Sequence, residues 1–530
     1  MKSLLSAIRQ KPYLVWFIAI FLSAWCKLSI LDSRELWLDE TYSAYIANLP
    51  FHDLLRFTRG DVHPQLFSIV LWAWVHLAGD TQTRLRLFSV LVNLCCMLAM
   101  FFLGKRVLGG RWGGFAAALF AFSPMLLVYS LEVRNYMLFM FAFICALIVH
   151  WRITVLQDER RGLLFVYSLL LASLFYIHYL GVFIGFGLFA HWILRSNHTR
   201  KSLSKILATG ILTLLFVAPG MPLLLTQREV KAQMESQLQL SHNDPQTLSF
   251  GSLGRDPAEE HGIASMIRNS AVMAGFYPAT SRGILLVCAI PLICALAWAV
   301  FLGVIRKDEI CRLFLILSSV LYAAVIVLHL GGTRYLLFLV PVLVLSISRA
   351  LQSWTTSLRR PRIGLALGAF ILVVYGAGFL RQATKPHGKP WQNLVRAVQT
   401  SYQPGDKVVF DVLYSQVPFD YFARHQNFHP LEAGFPIDIY KWWTIQKHTG
   451  WGGPVITQSD LDQFVSGLSR SEVKTIWLVS YETYYYDPHD ALLSRLGSFG
   501  QVSEILLPTD PDQAVGSPQD SHLRLFRISR

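Results

Sequence analysis

Residues 37–43 read Trp37-Leu38-Asp39-Glu40-Thr41-Tyr42-Ser43, an acidic pair set just beyond an apolar run at about residues 12–31. A carboxylate at a bilayer boundary is costly unless water, a metal or a partner charge compensates it, so the pair marks a candidate site as well as the end of a membrane span. Outward from this point, apolar runs keep alternating with polar connections. Runs that meet or approach the roughly 20 apolar residues of a spanning helix lie at about 84–104, 112–129, 137–156, 162–178, 180–195, 203–225, 282–305, 310–330, 333–352 and 361–381.

Composition agrees. Of 530 residues, 53% are hydrophobic and only 15% charged, more apolar surface than a soluble core buries. The formal net charge of +14 does not point to nucleic acid, because Lys and Arg sit mainly in the short connections. There they act as a topology signal.

Every second connection is basic. Lys2, Arg9 and Lys11 precede the first run, Lys105, Arg106 and Arg111 follow the second, and Arg160 with Arg161 follow the fourth. Arg195, Arg200 and Lys201, then Arg306 and Lys307, then Arg359, Arg360 and Arg362 continue the alternation. These connections are placed in the cytoplasm, which gives about eleven spans and puts the C-terminal region outside. Residues 64–78 are apolar but number only about 15 and are rich in Trp, so they are read as a helix lying on the outer membrane surface. The first run lacks a small-residue cleavage site and is read as an uncleaved anchor. All seven cysteines fall in apolar segments, where they are packing residues rather than disulfide partners.

The chain thus divides into a polytopic α-helical membrane domain, residues 1–384, and an external soluble α/β domain, residues 385–530. The membrane domain carries a first external loop at 32–83 and a long polar one at 226–281, of the length usual for a lid or a partly disordered segment. In the soluble domain, helices are expected near Trp391–Ser401, Val417–Arg424 and Pro488–Leu496. Strands are expected at Lys407–Asp411, Thr475–Ser480, Val502–Leu507 and Leu523–Ile528. With no glycine-rich phosphate loop or metal-ligand spacing, this domain is expected to cap or dock. The tyrosines of Tyr481–Tyr486 are read as packing residues, with sugar stacking as the alternative.

The polar residues at span ends all fall on one side. Asp39, Glu40, Asp61 and His63 lie in the first external loop, Glu132, Arg134 and Tyr136 between the third and fourth spans, His178 at the end of the fifth, and Arg334-Tyr335 at the start of the tenth. Each has a plainer role: a surface-helix start for Asp39 and Glu40, a cap for His63, an interfacial pair for Glu132 and Arg134, packing for His178, snorkelling for Arg334. Their common side, derived from loop charges alone, points instead to one polar crater at the outer leaflet.

The set Trp37-Leu38-Asp39-Glu40, Asp61-Val62-His63-Pro64-Gln65-Leu66, Arg84-Leu85-Arg86, Ser123-Pro124, Tyr129-Ser130 with Glu132, Arg134 and Tyr136, and Tyr176 with His178-Tyr179 resembles the bacterial membrane glycosyltransferases related to protein O-mannosyltransferases and the lipid A aminoarabinose transferase. The resemblance covers roughly residues 10–350. It implies the GT-C fold, a polyprenyl-phosphate-linked sugar donor, and inverting transfer to a lipid, glycan or protein acceptor on the external, periplasmic face of the inner membrane. In that family the first-loop acid acts on the acceptor, which assigns Asp39 the catalytic role with Glu40 beside it. The aminoarabinose branch has a Lys where this chain has His63, which leaves open how the donor phosphate is neutralised.

The chemistry of the residues fits those roles. Single-displacement transfer needs a base for the acceptor hydroxyl and a cationic environment for the departing phosphate. Asp39 suits the first. Arg134 and Arg334 suit the second, since a guanidinium stays charged and forks onto phosphate oxygens, with His63, Tyr136, His178 and Tyr335 completing the donor and substrate surface. The alternative is a divalent metal ion held by Glu132 with His63; no other cofactor is expected. A transporter or lipid flippase would carry its charges on broken spans near the midplane, and a membrane scaffold needs no clustered external acids and cations.

Overall fold

The computed structural model describes the chain apart from residues 1–12, 197–198, 243–246, 250–281, 329–332, 358–360, 386–388, 447–453, 455, 482, 484–486, 488, 508–522 and 530. It forms two compact units: residues 1–31, 86–220 and 259–385 in one, residues 32–85, 221–258 and 386–530 in the other. The second unit thus takes in the first polar loop and the segment after residue 220 along with the C-terminal region.

Helices occupy every apolar run. They are Tyr13–Ser29, Gln82–Ala121, Pro124–Ser130, Tyr136–Thr154, Arg161–Ile177, Gly181–Arg195, Arg200–Val217, Arg282–Val304, Glu309–Val327, Val340–Ser357 and Pro361–Ala383. Among the described residues, six helices are long and apolar enough to cross a membrane. The chain is a multi-pass membrane protein. Gln82–Ala121 covers two expected spans because the backbone breaks at Gly109, where φ is +81°, a left-handed value that glycine adopts without strain. A Cβ on Gly113 would lie 2.2 Å from the Gly104 backbone, so paired glycines let the two arms meet backbone to backbone.

Some buried polar groups in this unit pair with one another. Lys27 Nζ donates to Asn93 Oδ1 at 2.7 Å and to the Ala121 carbonyl at 3.5 Å, which answers an open carbonyl at a helix end. His150 joins Tyr167 at 2.8 Å and His191 at 3.0 Å, and His191 meets Glu309 at 3.3 Å. That chain ties four helices together, and Arg195 pairs with its terminal carboxylate.

The second unit holds a five-stranded sheet. Its strands are β1 (Lys407–Asp411), β2 (Glu432–Gly434), β3 (Thr475–Tyr481), β4 (Gln501–Ile505) and β5 (Leu523–Ser529). The order is β2-β1-β3-β5-β4, with β1 parallel to β2 and β3, and β5 antiparallel to β3 and β4. Every residue of β3 is buried, as an interior strand covered on both faces requires. The turn before β1 has Gly405 at φ +97°. Glu35 explains why the first loop belongs here: its carboxylate accepts the Trp391 and Gln392 backbone N–H groups, each at 2.7 Å, capping the helix Pro390–Ser401.

Several features differ from the sequence expectation. Met221–His242 is a helix, not the start of a long loop, because Gln, Glu, Lys, Ala, Met and Leu there are strong helix formers uninterrupted by Gly or Pro after Pro222. Thr247–Ser249 then pairs with Ile456–Thr457, and the rest of the expected loop, 250–281, lies outside the described residues. The helix Gln458–Arg470 was not anticipated, although Thr457 and Asp460 form a capping box at its start. Of the tyrosine run, Tyr481 packs against Trp391 with ring centroids 5.3 Å apart, while Tyr484 to Tyr486 lie outside the described residues.

Asp411, at the end of β1, is 1% exposed, and among the described residues no side chain reaches either carboxylate oxygen within hydrogen-bonding distance. Burial, then the charge of Asp487, pushes it well above the ordinary carboxylate range. Above about pH 4 the unfolded chain releases a proton that the folded one keeps, so this group lowers stability as pH rises. Asp411→Asn is expected to stabilise the protein at pH 7 by on the order of 1 kcal/mol or more, with the gain vanishing below about pH 4. Thermal melting at both pH values checks this.

Candidate functional site

The candidate residues divide between the two units. In the second, the helix Leu38–Asn48 begins immediately after Trp37 and carries two acids in its first turn, where the helix dipole favours negative charge. Glu40 is fully buried, and its Oε2 accepts the Trp37 backbone N–H at 3.1 Å. Its carboxylate therefore serves the helix start. Asp39, one position earlier, is half-buried; its backbone carbonyl accepts the Ser43 hydroxyl at 2.8 Å.

Asp61 and His63 follow a short helical turn at Thr58–Gly60. Asp61 Oδ1 accepts the Val62 and His63 N–H groups at 2.6 and 3.3 Å, and Oδ2 accepts the Tyr42 hydroxyl at 3.4 Å. Tyr42 thereby links the two acidic segments. Gln227, from the helix Met221–His242, donates to the carbonyls of Thr58 and His63 at 3.0 and 3.2 Å. The helix Leu66–Ala78 buries Phe67, Leu71 and Val75 and packs on Leu38–Asn48. Its Trp72 indole donates to the Leu49 carbonyl at 3.0 Å.

Aromatic packing joins this segment to the C-terminal region. The Trp443 ring lies 5.7 Å from Tyr42, 5.5 Å from Tyr45 and 5.1 Å from Phe57. Trp443 belongs to the helix Ile439–Gln446, one that sequence reading missed. Asp80 is held by Arg424 and His425 of the helix Gln416–His425; the His425 bond, ahead of the Arg424 charge, draws its carboxyl down to about 2.

In the first unit the structure brings Arg134, His178, Arg334 and Tyr335 together. The segment carrying Glu132 and Arg134 is fixed at both ends: Ser89 Oγ donates to the Glu132 carbonyl at 2.7 Å, and Asn135 Nδ2 to the Ile177 carbonyl at 3.2 Å. Tyr136 is buried with its ring 5.0 Å from Tyr129. His178 stands just past the helix Arg161–Ile177, boxed by Phe139, Phe338 and Tyr335 at ring distances of 6.0, 6.2 and 6.4 Å. Arg334 covers the Tyr335 ring at 5.3 Å. Arg134 and Arg334 both act electrostatically on the buried His178. Two cations supplied by distant stretches of chain therefore bear on one imidazole.

Asn135, Ser89 and Gln227 were not singled out from sequence. Each acts on a backbone carbonyl, and such contacts leave no motif. Among the described residues, no group of three or more His, Cys, Asp or Glu side chains is placed to hold a metal ion.

Residues 62–224 match the family described as dolichyl-phosphate-mannose-protein mannosyltransferase. No curated protein matches the sequence. Among solved structures, ArnT from Cupriavidus metallidurans in the apo state aligns over 98% of this chain and 98% of its own, with a TM-score of 0.60 at 14% identity. The same protein bound to undecaprenyl phosphate aligns over 96% and 97%, with a TM-score of 0.59 at 13% identity. The oligosaccharyltransferase AglB from Archaeoglobus fulgidus, in complex with an inhibitory peptide and a dolichol-phosphate, aligns over 98% of this chain and 76% of its own, with a TM-score of 0.55 at 11% identity. The chain has the GT-C fold, and the resemblance read from its motifs stands.

Proposed function

We propose that this GT-C-fold chain is an inverting glycosyltransferase that moves a monosaccharide from a polyprenyl-phosphate-linked donor to an acceptor hydroxyl on a lipid, glycan or protein. The observation that carries the reading is the pairing of Arg134 and Arg334 about His178 in a chain whose fold matches that of a protein bound to undecaprenyl phosphate. A transporter or scaffold reading accounts for neither the two cations nor the neighbouring fold.

In the proposed reaction the acceptor oxygen attacks the anomeric carbon from the face opposite the phosphate. The bond from that carbon to the phosphate oxygen breaks, its electron pair leaving with the phosphate, and the acceptor proton passes to Asp39. Glu40 holds the helix start that presents Asp39. Arg134 and Arg334 stabilise the charge on the departing phosphate, with Tyr136 and Tyr335 on the donor surface and His63 at the acidic segment. A divalent ion on Glu132 and His63 is the competing source of that stabilisation. The loop charges assign the reaction and the C-terminal region to the periplasmic face of the inner membrane.

The test is a panel of polyprenyl-phosphate-linked monosaccharides offered to the purified protein with lipid, glycan and peptide acceptors. One donor is expected to yield a product of inverted anomeric configuration together with free polyprenyl phosphate. Binding without release of polyprenyl phosphate from any donor would favour transport instead.

A further inference from the structure

The end of the helix Arg161–Ile177 fixes more than the position of His178. The backbone N–H of Leu180 donates to His178 Nδ1 at 3.1 Å. A nitrogen that accepts a hydrogen bond carries no proton, so in the neutral ring the proton is on Nε2. The backbone on either side is also set: His178 N donates to the Leu174 carbonyl at 3.0 Å, and Asn135 holds the Ile177 carbonyl. Phe139, Phe338 and Tyr335 restrict the ring plane.

Resting on the proposed function, we propose that His178 binds the donor phosphate as a neutral imidazole, giving its Nε2–H to a phosphate oxygen beside Arg134 and Arg334. Among the described residues, the guanidiniums of Arg134 and Arg334 both bear on the ring, so a second proton would meet two like charges in a buried setting. A neutral donor avoids that repulsion. It adds a hydrogen bond that strengthens as charge develops on the leaving oxygen. The same tautomer excludes His178 as a base toward the phosphate, because its unprotonated nitrogen is occupied by Leu180.

The experiment measures binding of undecaprenyl phosphate to the full-length protein in detergent or nanodiscs, with His178→Ala and His178→Gln as variants. A hydrogen bond to a charged group is worth roughly 10-fold or more in affinity. His178→Ala is therefore expected to bind at least about 10-fold more weakly, and His178→Gln, whose amide N–H replaces the donor, within about threefold of the native protein. Because the ligand's own titration cancels in a ratio, the affinity ratio of native protein to His178→Gln is expected to stay constant from about pH 8 to pH 5.5. A ratio that rises severalfold on acidification would identify an imidazolium and overturn the proposal. Alanine and glutamine variants that both match the native affinity, while Arg134→Ala still weakens binding, would overturn it and leave the proposed function intact. No binding by the native protein would overturn both. Melting curves identify variants that fail to fold, and in that case His178→Asn, which also replaces the imidazole with an amide donor, takes the place of the failed variant in the same ratio.

Discussion

Asp39→Asn is expected to abolish most turnover while leaving donor binding and folding nearly intact. General-base catalysis contributes about 100- to 10,000-fold, or about 3–5 kcal/mol of barrier. The amide keeps the size and the hydrogen-bonding capacity of the carboxyl but cannot take the acceptor proton. Asp39 is half-buried at the start of its helix, and the carbonyl that Ser43 uses belongs to the backbone and is kept by Asn. Glu40→Gln is the control. Glu40 is the buried residue, and its carboxylate accepts the Trp37 N–H; the Gln carbonyl still accepts that bond, so activity should fall less and stability more. Initial rates with saturating donor, beside undecaprenyl phosphate affinity and melting temperature, separate these effects. Near-native turnover by Asp39→Asn would remove Asp39 from the base role.

The apolar helices were legible because each leaves a local signal. An apolar run of span length needs no distant partner to be recognised, and β3 was expected at Thr475–Ser480 because a strand buried on both faces is largely apolar. The candidates Arg134, His178 and Arg334 were grouped through topology, the loop charges assigning them to one side, and in the structure both arginines bear electrostatically on the histidine. Polar and short elements were not legible. Met221–His242 has helix formers but no apolar periodicity, and β2 spans only Glu432–Gly434. The union of residues 32–85, 221–258 and 386–530 in one unit rests on pairings such as Glu35 with the Trp391 and Gln392 N–H groups, whose partners lie hundreds of positions apart. Glu40 shows a subtler limit. Its place in the acidic pair was plain, but its carboxylate is taken up by a helix start, and only the geometry distinguishes it from Asp39.

Arginine and metal make opposite predictions for the leaving phosphate. Arg134 and Arg334 come from separate stretches of the first unit, each close enough to bear on His178. If they supply the charge, replacing either with Ala should cost about 1.5–3 kcal/mol of donor binding, roughly a 10- to 100-fold loss, and should slow transfer further because the contact strengthens as charge develops. Lys should rescue only in part: it restores the charge but not the planar fork that meets two phosphate oxygens. Chelators should then leave the rate unchanged. If a divalent ion does this work instead, chelation abolishes transfer, added ion restores it, and Glu132→Gln or His63→Ala raises the concentration of ion required. The double variant Arg134→Ala with Arg334→Ala gives the sharpest reading. A double variant with native affinity and turnover would exclude both arginines from the site.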